Sequence, residues 1–204
     1  MRSRRRPDAL GASWYARPAE QVARELLGTI LVSTIDGVNT AGRIVETEAY
    51  IGPHDEASHA AERIGRTPRN LTMFGTPGLA YVYRIYGIHW CLNIVTDEID
   101  YPAAVLIRAI EPVQGIAQMR ARRAHGQKHL PDRALTSGPG KLAAALGITG
   151  EHDAHPLDRA PLWVRAGQPV ARRHVRTGPR IGITRAADWP LRFWERDNPW
   201  VSRG

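Results

Sequence analysis

Two β-prone runs, Leu79 to Tyr86 and Ile88 to Thr96, meet at Gly87, and this hairpin signal constrains the fold more than any other feature. Strands joined by so short a turn pair antiparallel. The pattern occurs earlier too. Thr29 to Thr34 reads as a strand and Asp36-Gly37 as a hairpin turn, and the strand that follows includes Ile44 to Tyr50 and stops at Gly52-Pro53. Ala103 to Ile110 reads as a further buried strand. Helices are predicted over Pro18 to Leu27 with Gly28 behind, over Gly115 to Arg123 and over Lys141 to Leu146. Short β segments are expected at Leu162 to Val164 and Ile181 to Ile183, before the chain closes on Leu191 to Trp194 and Pro199 to Val201. Together these predict an α/β (α+β) fold: a single mixed domain around a curved, mainly antiparallel β-sheet with a protruding β-hairpin.

With 204 residues, one well-buried domain is expected over 13–204, preceded by a basic, flexible arm over 1–12. The stretch from His54 to Gly78 shows turn chemistry and little periodicity, and connections this long are usually functional or disordered. No run of 18 apolar residues exists, which argues against a membrane span. The basic start Met1 to Pro7 is not followed by an apolar stretch, so the expected location is the cytosol. The one cysteine, Cys91, rules out an internal disulfide and cysteine-ligated zinc, and it reads as a buried structural thiol.

Net charge +8 favours an anionic partner. Only Lys128 and Lys141 among the 28 basic residues are lysines, and arginine is better suited to bidentate phosphate contacts. Charge alone does not separate a polyanion-binding face from an ordinary solvated surface. The octapeptide Arg43-Ile-Val-Glu-Thr-Glu-Ala-Tyr50 adds chemistry. In a strand, period-two geometry sends Ile44, Glu46, Glu48 and Tyr50 to one face, so carboxylate and aromatic share a wall.

Four of the six tyrosines, Tyr50, Tyr81, Tyr83 and Tyr86, lie between residues 50 and 86, with His59 among them. Alternation puts Tyr81 and Tyr83 on one face and Tyr86 on the other, beside the turn glycine. Tyr81 reads as an ordinary core tyrosine. Tyr83 and Tyr86, interleaved with arginine, suit a nucleic-acid surface, where stacking contributes roughly 1–3 kcal/mol per base and a protruding ring can wedge between base pairs.

These residues resemble the alkyladenine (3-methyladenine) DNA glycosylase family. The likeness runs through Arg43 to Tyr50, Gly52-Pro53, Asp55-Glu56-Ala57, His59, Thr67 to Asn70, Met73-Phe74, Tyr81 to Tyr83 and Tyr86-Gly87. It continues through Leu106 to Pro112, Asp132-Arg133, Ser137 to Pro139 with Lys141-Leu142, Pro190 to Phe193 and Pro199 to Ser202. The resemblance implies a monofunctional base-excision repair enzyme. It would flip a damaged purine (3-methyladenine, 7-methylguanine, hypoxanthine class) out of double-stranded DNA and hydrolyse the N-glycosidic bond, without cofactor or metal and as a monomer. It also implies the roles. Glu48 activates water held with Arg108; Tyr50, His59 and Tyr83 wall the flipped base; Asn93 discourages guanine; Tyr86 is the wedge that intercalates in DNA. Glu46 is implied to be structural. The chain departs from the family pattern in one extra residue between His59 and Thr67 and in His89-Trp90.

Two other readings stay open on residues alone. A non-catalytic DNA- or RNA-binding module would use the same basic and aromatic surface. A metal hydrolase would need a ligand set, and the one i, i+4 histidine pair, His125 and His129, lacks the neighbouring glutamate of the usual spacing. A bifunctional, amine-using glycosylase is disfavoured because Lys128, Lys141 and the N-terminal amine are the only candidates for the nucleophile.

Overall fold

The long β-prone runs pair edge to edge and leave their apolar faces to be covered by short helices. The computed structural model describes residues 4–124 and 130–203. Its strands are β1 Ile30–Ser33, β2 Thr40–Tyr50, β3 Ala80–Ile85, β4 His89–Thr96, β5 Ala103–Gln114, β6 Asp158–Arg159, β7 Leu162–Arg165, β8 Val175–Gly178 and β9 Arg192–Glu195. They form one curled sheet in the order β3-β4-β5-β2-β1-β7-β6, with β9 joining the second half of β2 and β8 joining β9. Every pairing is antiparallel. The expected fold class, a mixed domain on a curled antiparallel sheet, is the observed one.

The helices are α1 Ala12–Tyr15, α2 Ala19–Glu25, α3 Ile116–Arg123 and α4 Pro139–Leu146. Val22, Ala23, Leu26 and Leu27 from α2 and the turn behind it, Met119 from α3, and Leu142, Ala143, Ala145 and Leu146 from α4 meet Leu31, Ile44, Ile94, Ile107, Ile110 and Phe193 of the sheet in one cluster. Each fully buried Leu, Ile, Phe or Met side chain there contributes roughly 1.5–3 kcal/mol. The helices are too short to be stable alone, so packing on the sheet holds them.

Several expectations change. Asp36-Gly37 does not close a tight hairpin: pairing stops at Ser33 with Thr40, and residues 34–39 bulge out through a 3-10 turn with Asp36 and Gly37 both at positive φ. Ile181 to Ile183 is not a strand; it is an irregular turn with Gly182 at φ +77°. Within the stretch expected to be a basic arm, Arg5 bridges to Arg159 and Ala9 to Arg165, and Ala12 begins α1.

The face assignment within β2 also shifts. Ile44 pairs with Ile110, Glu46 with Ala109 and Thr47 with Ile107, so the ladder is irregular on both strands around Val45 and Arg108. Three residues instead of two therefore separate core positions on each strand, Ile44 to Thr47 and Ile107 to Ile110. Ile44 faces the core, and the Thr47 hydroxyl donates to the Ala23 carbonyl of α2 at 2.8 Å. Glu46, Glu48 and Tyr50 are left together on the opposite face. Bulges of this kind commonly re-aim side chains beside active sites.

Candidate active site

On that opposite face Glu46 and Glu48 both lie fully buried, and their partners differ. Glu46 is saturated. One oxygen accepts from Arg108 Nε at 3.0 Å, Arg192 Nε at 2.7 Å and Ser202 Oγ at 2.8 Å, and the other accepts from the Ser202 N–H at 2.6 Å. Such a carboxylate is a strut joining β2, β5, β9 and the C-terminal segment. Glu48 has looser company. Its Oε1 lies 3.1 Å from Arg108 Nη1 and accepts from the Ile181 N–H at 2.8 Å, while Oε2 accepts from the Tyr50 hydroxyl at 3.2 Å. Burial pushes the Glu48 carboxyl above its ordinary range, and Arg108, the Ile181 N–H and Tyr50 only partly oppose that. A carboxylate with raised proton affinity is better suited to take a proton from water.

Beside Glu48 opens a cavity of ≈ 270 Å³ lined by Tyr50, His59, Tyr83, Asn93 and Arg108, with Ile181 and Gly182 on its other side. At the small end of ligand pockets, it suits one ring system. The His59 and Tyr83 rings meet edge-on with centroids 4.3 Å apart. His59 Nδ1 is 2.9 Å from the Tyr81 hydroxyl, and its backbone carbonyl accepts from Asn70 Nδ2 at 2.8 Å, so the residue is anchored through both ring and main chain. Burial, aided by Arg69, lowers the His59 pKa and keeps the imidazole neutral near pH 7. Burial raises Tyr50 and Tyr83 and lifts the Cys91 thiol to about 11, so these three groups line the cavity uncharged. Asn93 Nδ2 donates to the Tyr81 carbonyl at 3.1 Å, an ordinary structural bond on a residue that also faces the cavity.

Tyr86 stands at the mouth. It is 81% exposed at the β3–β4 turn, with φ +52°, followed by Gly87 at +69°. The Ile88 N–H donates to the Ile85 carbonyl at 3.2 Å, and this pair of positive φ values matches the twist of the strands. Glycine takes that backbone freely, whereas tyrosine there is strained, which marks a functional candidate. The fold thus brings every predicted site residue, Glu48, Tyr50, His59, Tyr83, Tyr86, Asn93 and Arg108, to one cavity or its immediate floor.

Sequence reasoning missed Arg180 and Ile181, which reach the site from a turn expected to be a strand. Arg180 forms a fully buried pair with Asp55, and its guanidinium lies 4.7 Å from the Tyr50 ring centroid. The one local signal was the Gly178-Pro179 and Gly182 punctuation around them. A larger depression of ≈ 980 Å³, lined by Trp14, Glu20, Arg24, Val170 and Arg172, shares no residue with this cavity. Its Glu20 and Arg24 are half-exposed and pair with each other, so the buried acid, and not cavity size, locates the chemistry. Among the described residues no group of three or more His, Cys, Asp or Glu is placed to hold a metal ion. His125 and His129 lie outside the described residues. No described helix is long and apolar enough to cross a membrane.

A slot of neutral aromatic rings with an ionisable acid at its floor accepts a flat ring and can hydrolyse a bond to it. That class has a match: the model of the methylpurine-DNA glycosylase (MPG) family covers residues 13–199. The chain belongs to the methylpurine-DNA glycosylase family, and it is a DNA glycosylase, a hydrolase of DNA repair. A relative from Myxococcus xanthus is 50% identical over 198 residues, 96% of this chain and 94% of its own. Relatives from Rhodopseudomonas palustris HaA2 and Bradyrhizobium diazoefficiens are each 48% identical, over 96% and 95% of this chain and 93% and 90% of theirs. All three carry the name "Putative 3-methyladenine DNA glycosylase". Membership in an enzyme family sets aside the non-catalytic binding module as an account of the whole chain.

Proposed function

We propose that this glycosylase flips alkylated or deaminated purines of the 3-methyladenine, 7-methylguanine and hypoxanthine class out of double-stranded DNA and hydrolyses the N-glycosidic bond with water activated by Glu48. The observation that carries this reading is the Glu48 carboxylate, buried and bonded to three residues that line the aromatic cavity, Tyr50, Ile181 and Arg108, the last at 3.1 Å. Water is a weak nucleophile. A carboxylate of raised proton affinity takes its proton, and the negative charge stabilises the oxocarbenium-like sugar as the base departs. Arg108 orients that carboxylate and the water.

Tyr50, His59 and Tyr83 form the walls for the flipped base. Electron-rich rings favour a cationic alkylated purine, whose charge also makes it a good leaving group. In this reading Asn93, whose side chain is held on the Tyr81 carbonyl, excludes guanine's exocyclic amine. Tyr86 fills the gap left in the duplex. The chemistry is monofunctional, needs no metal or cofactor, and is carried out by a monomer.

The test is Glu48→Gln. Release of base from methylated or hypoxanthine-containing duplex should fall at least about 100-fold, the usual contribution of a general base, while DNA affinity is kept. Wild-type rates in that variant would refute the assignment.

A further inference from the structure

The turn that carries Arg180 and Ile181 touches Glu48, Tyr50 and the start of the loop that leads to His59. Arg180 Nη1 donates to the Ala49 carbonyl at 3.0 Å, on the strand between Glu48 and Tyr50. Arg180 Nη2 donates to Asp55 Oδ1 at 2.8 Å, Nη1 bonds to Oδ2, and both side chains are fully buried. Asp55 in turn accepts from the Ile51 N–H at 3.3 Å and the Ala57 N–H at 3.1 Å, shaping the start of the loop that leads to His59. The next residue after Arg180 gives its N–H to Glu48. The Arg180 Nε is buried with no partner, so the guanidinium is placed by its two Nη groups alone. A buried ion pair is an expensive way to gain stability alone, because desolvation offsets most of the attraction. Its geometry here serves alignment.

We infer that Arg180 and Asp55 are positioning residues for the hydrolytic step: the pair clasps the 178–183 turn against β2 and the His59 loop, and so aims the Ile181 N–H at Glu48. The inference rests on the reading of Glu48 as the base that activates water. It adds a second determinant of that base's proton affinity, in the backbone of a segment 133 residues away.

Glu48 is faced by Glu46 and Tyr50 on β2, Arg108 on β5, Tyr83 on β3, Cys91 on β4 and the Ile181 N–H on the turn. Arg192 on β9 is turned to Glu46. Arg108 and the Ile181 N–H favour the ionised carboxylate more than Tyr50 does, and Glu46 opposes it. A loosened clasp frees the turn and with it the Ile181 N–H that donates to Glu48. The proton affinity of Glu48 then rises further, and base release fails at a higher pH.

The experiment measures single-turnover base release against pH on methylated duplex DNA for Arg180→Lys, for Asp55→Asn, and for a protein in which Ile181 is replaced by its α-hydroxy acid. The last substitution exchanges only the N–H for an ester oxygen and leaves the ion pair intact. In all three the acid limb should move to higher pH, with about a tenfold lower rate on the limb itself, recovery toward wild type on the plateau above it, and DNA affinity within about twofold, as expected for one lost hydrogen bond to a charged acceptor. A purely structural clasp would lower the rate equally at every pH and leave the ester protein unaffected; that pattern overturns the inference. Glu48→Gln, assayed beside them, separates the cases: if it stays active the Glu48 reading itself fails, and if it is inactive while the acid limb of the three variants is unmoved, only the clasp fails.

Discussion

Replacing Glu46 by alanine tests which glutamate supports the fold. The substitution deletes a carboxylate that accepts from Arg108, Arg192 and both donors of Ser202, inside a site with no exposure. It leaves Arg192, with a side-chain exposure of 14%, without its carboxylate, Arg108 with Glu48 alone, and the Ser202 N–H without its acceptor. Removing one partner of a buried pair costs about 3–5 kcal/mol, because the remaining charge stays desolvated. For a domain of 150–250 residues each kcal/mol moves the melting temperature by about 2–4 °C, so the drop should be about 6–20 °C. Thermal melts followed by far-UV circular dichroism, with urea titrations to check that the m-value is unchanged, measure it. Glu46→Gln keeps an acceptor oxygen and should fall between. A drop under about 3 °C for the alanine variant would show that the Glu46 hub is not a stabilising strut.

Glu48 should behave in the opposite way. Burial raises its folded pKa above the unfolded value, so its contribution to stability is present at low pH and lost as pH rises through the folded pKa. Glu48→Gln is therefore expected to melt at or above the wild-type temperature at pH 8, and a clear loss would refute that sign. The same shift places the acid limb of base release above the ordinary carboxylate range; a limb at pH 4 would contradict it. Tyr86→Ala, at an 81% exposed position, should leave the melting temperature within about 1–2 °C while slowing excision from duplex more than from single-stranded DNA, and equal effects on both would exclude a wedge. Borohydride should trap no protein–DNA adduct during turnover; efficient trapping would mean an amine nucleophile.

The chain order of strands and helices, and the clustering of carboxylates, tyrosines and His59, follow from local pattern, because periodicity and turn chemistry act over a few residues. Local pattern also put Glu46, Glu48 and Tyr50 on one face. It could not divide the work between the glutamates, since that depends on which donors arrive from elsewhere. Ser202 reaches Glu46 across 156 residues and Ile181 reaches Glu48 across 133, and only the packing of non-strand segments against β2 brings them there. The paired irregularity at Val45 and Arg108 moved Ile44 to the core face, against strict alternation, which a periodic reading of one strand cannot foresee. Arg180 and Asp55 were hidden for the same reason: nothing in a turn sequence predicts a partner 125 residues away. Sequence determined which chemically capable residues this protein carries, and tertiary packing decided that Glu46 is saturated by donors while Glu48 keeps fewer.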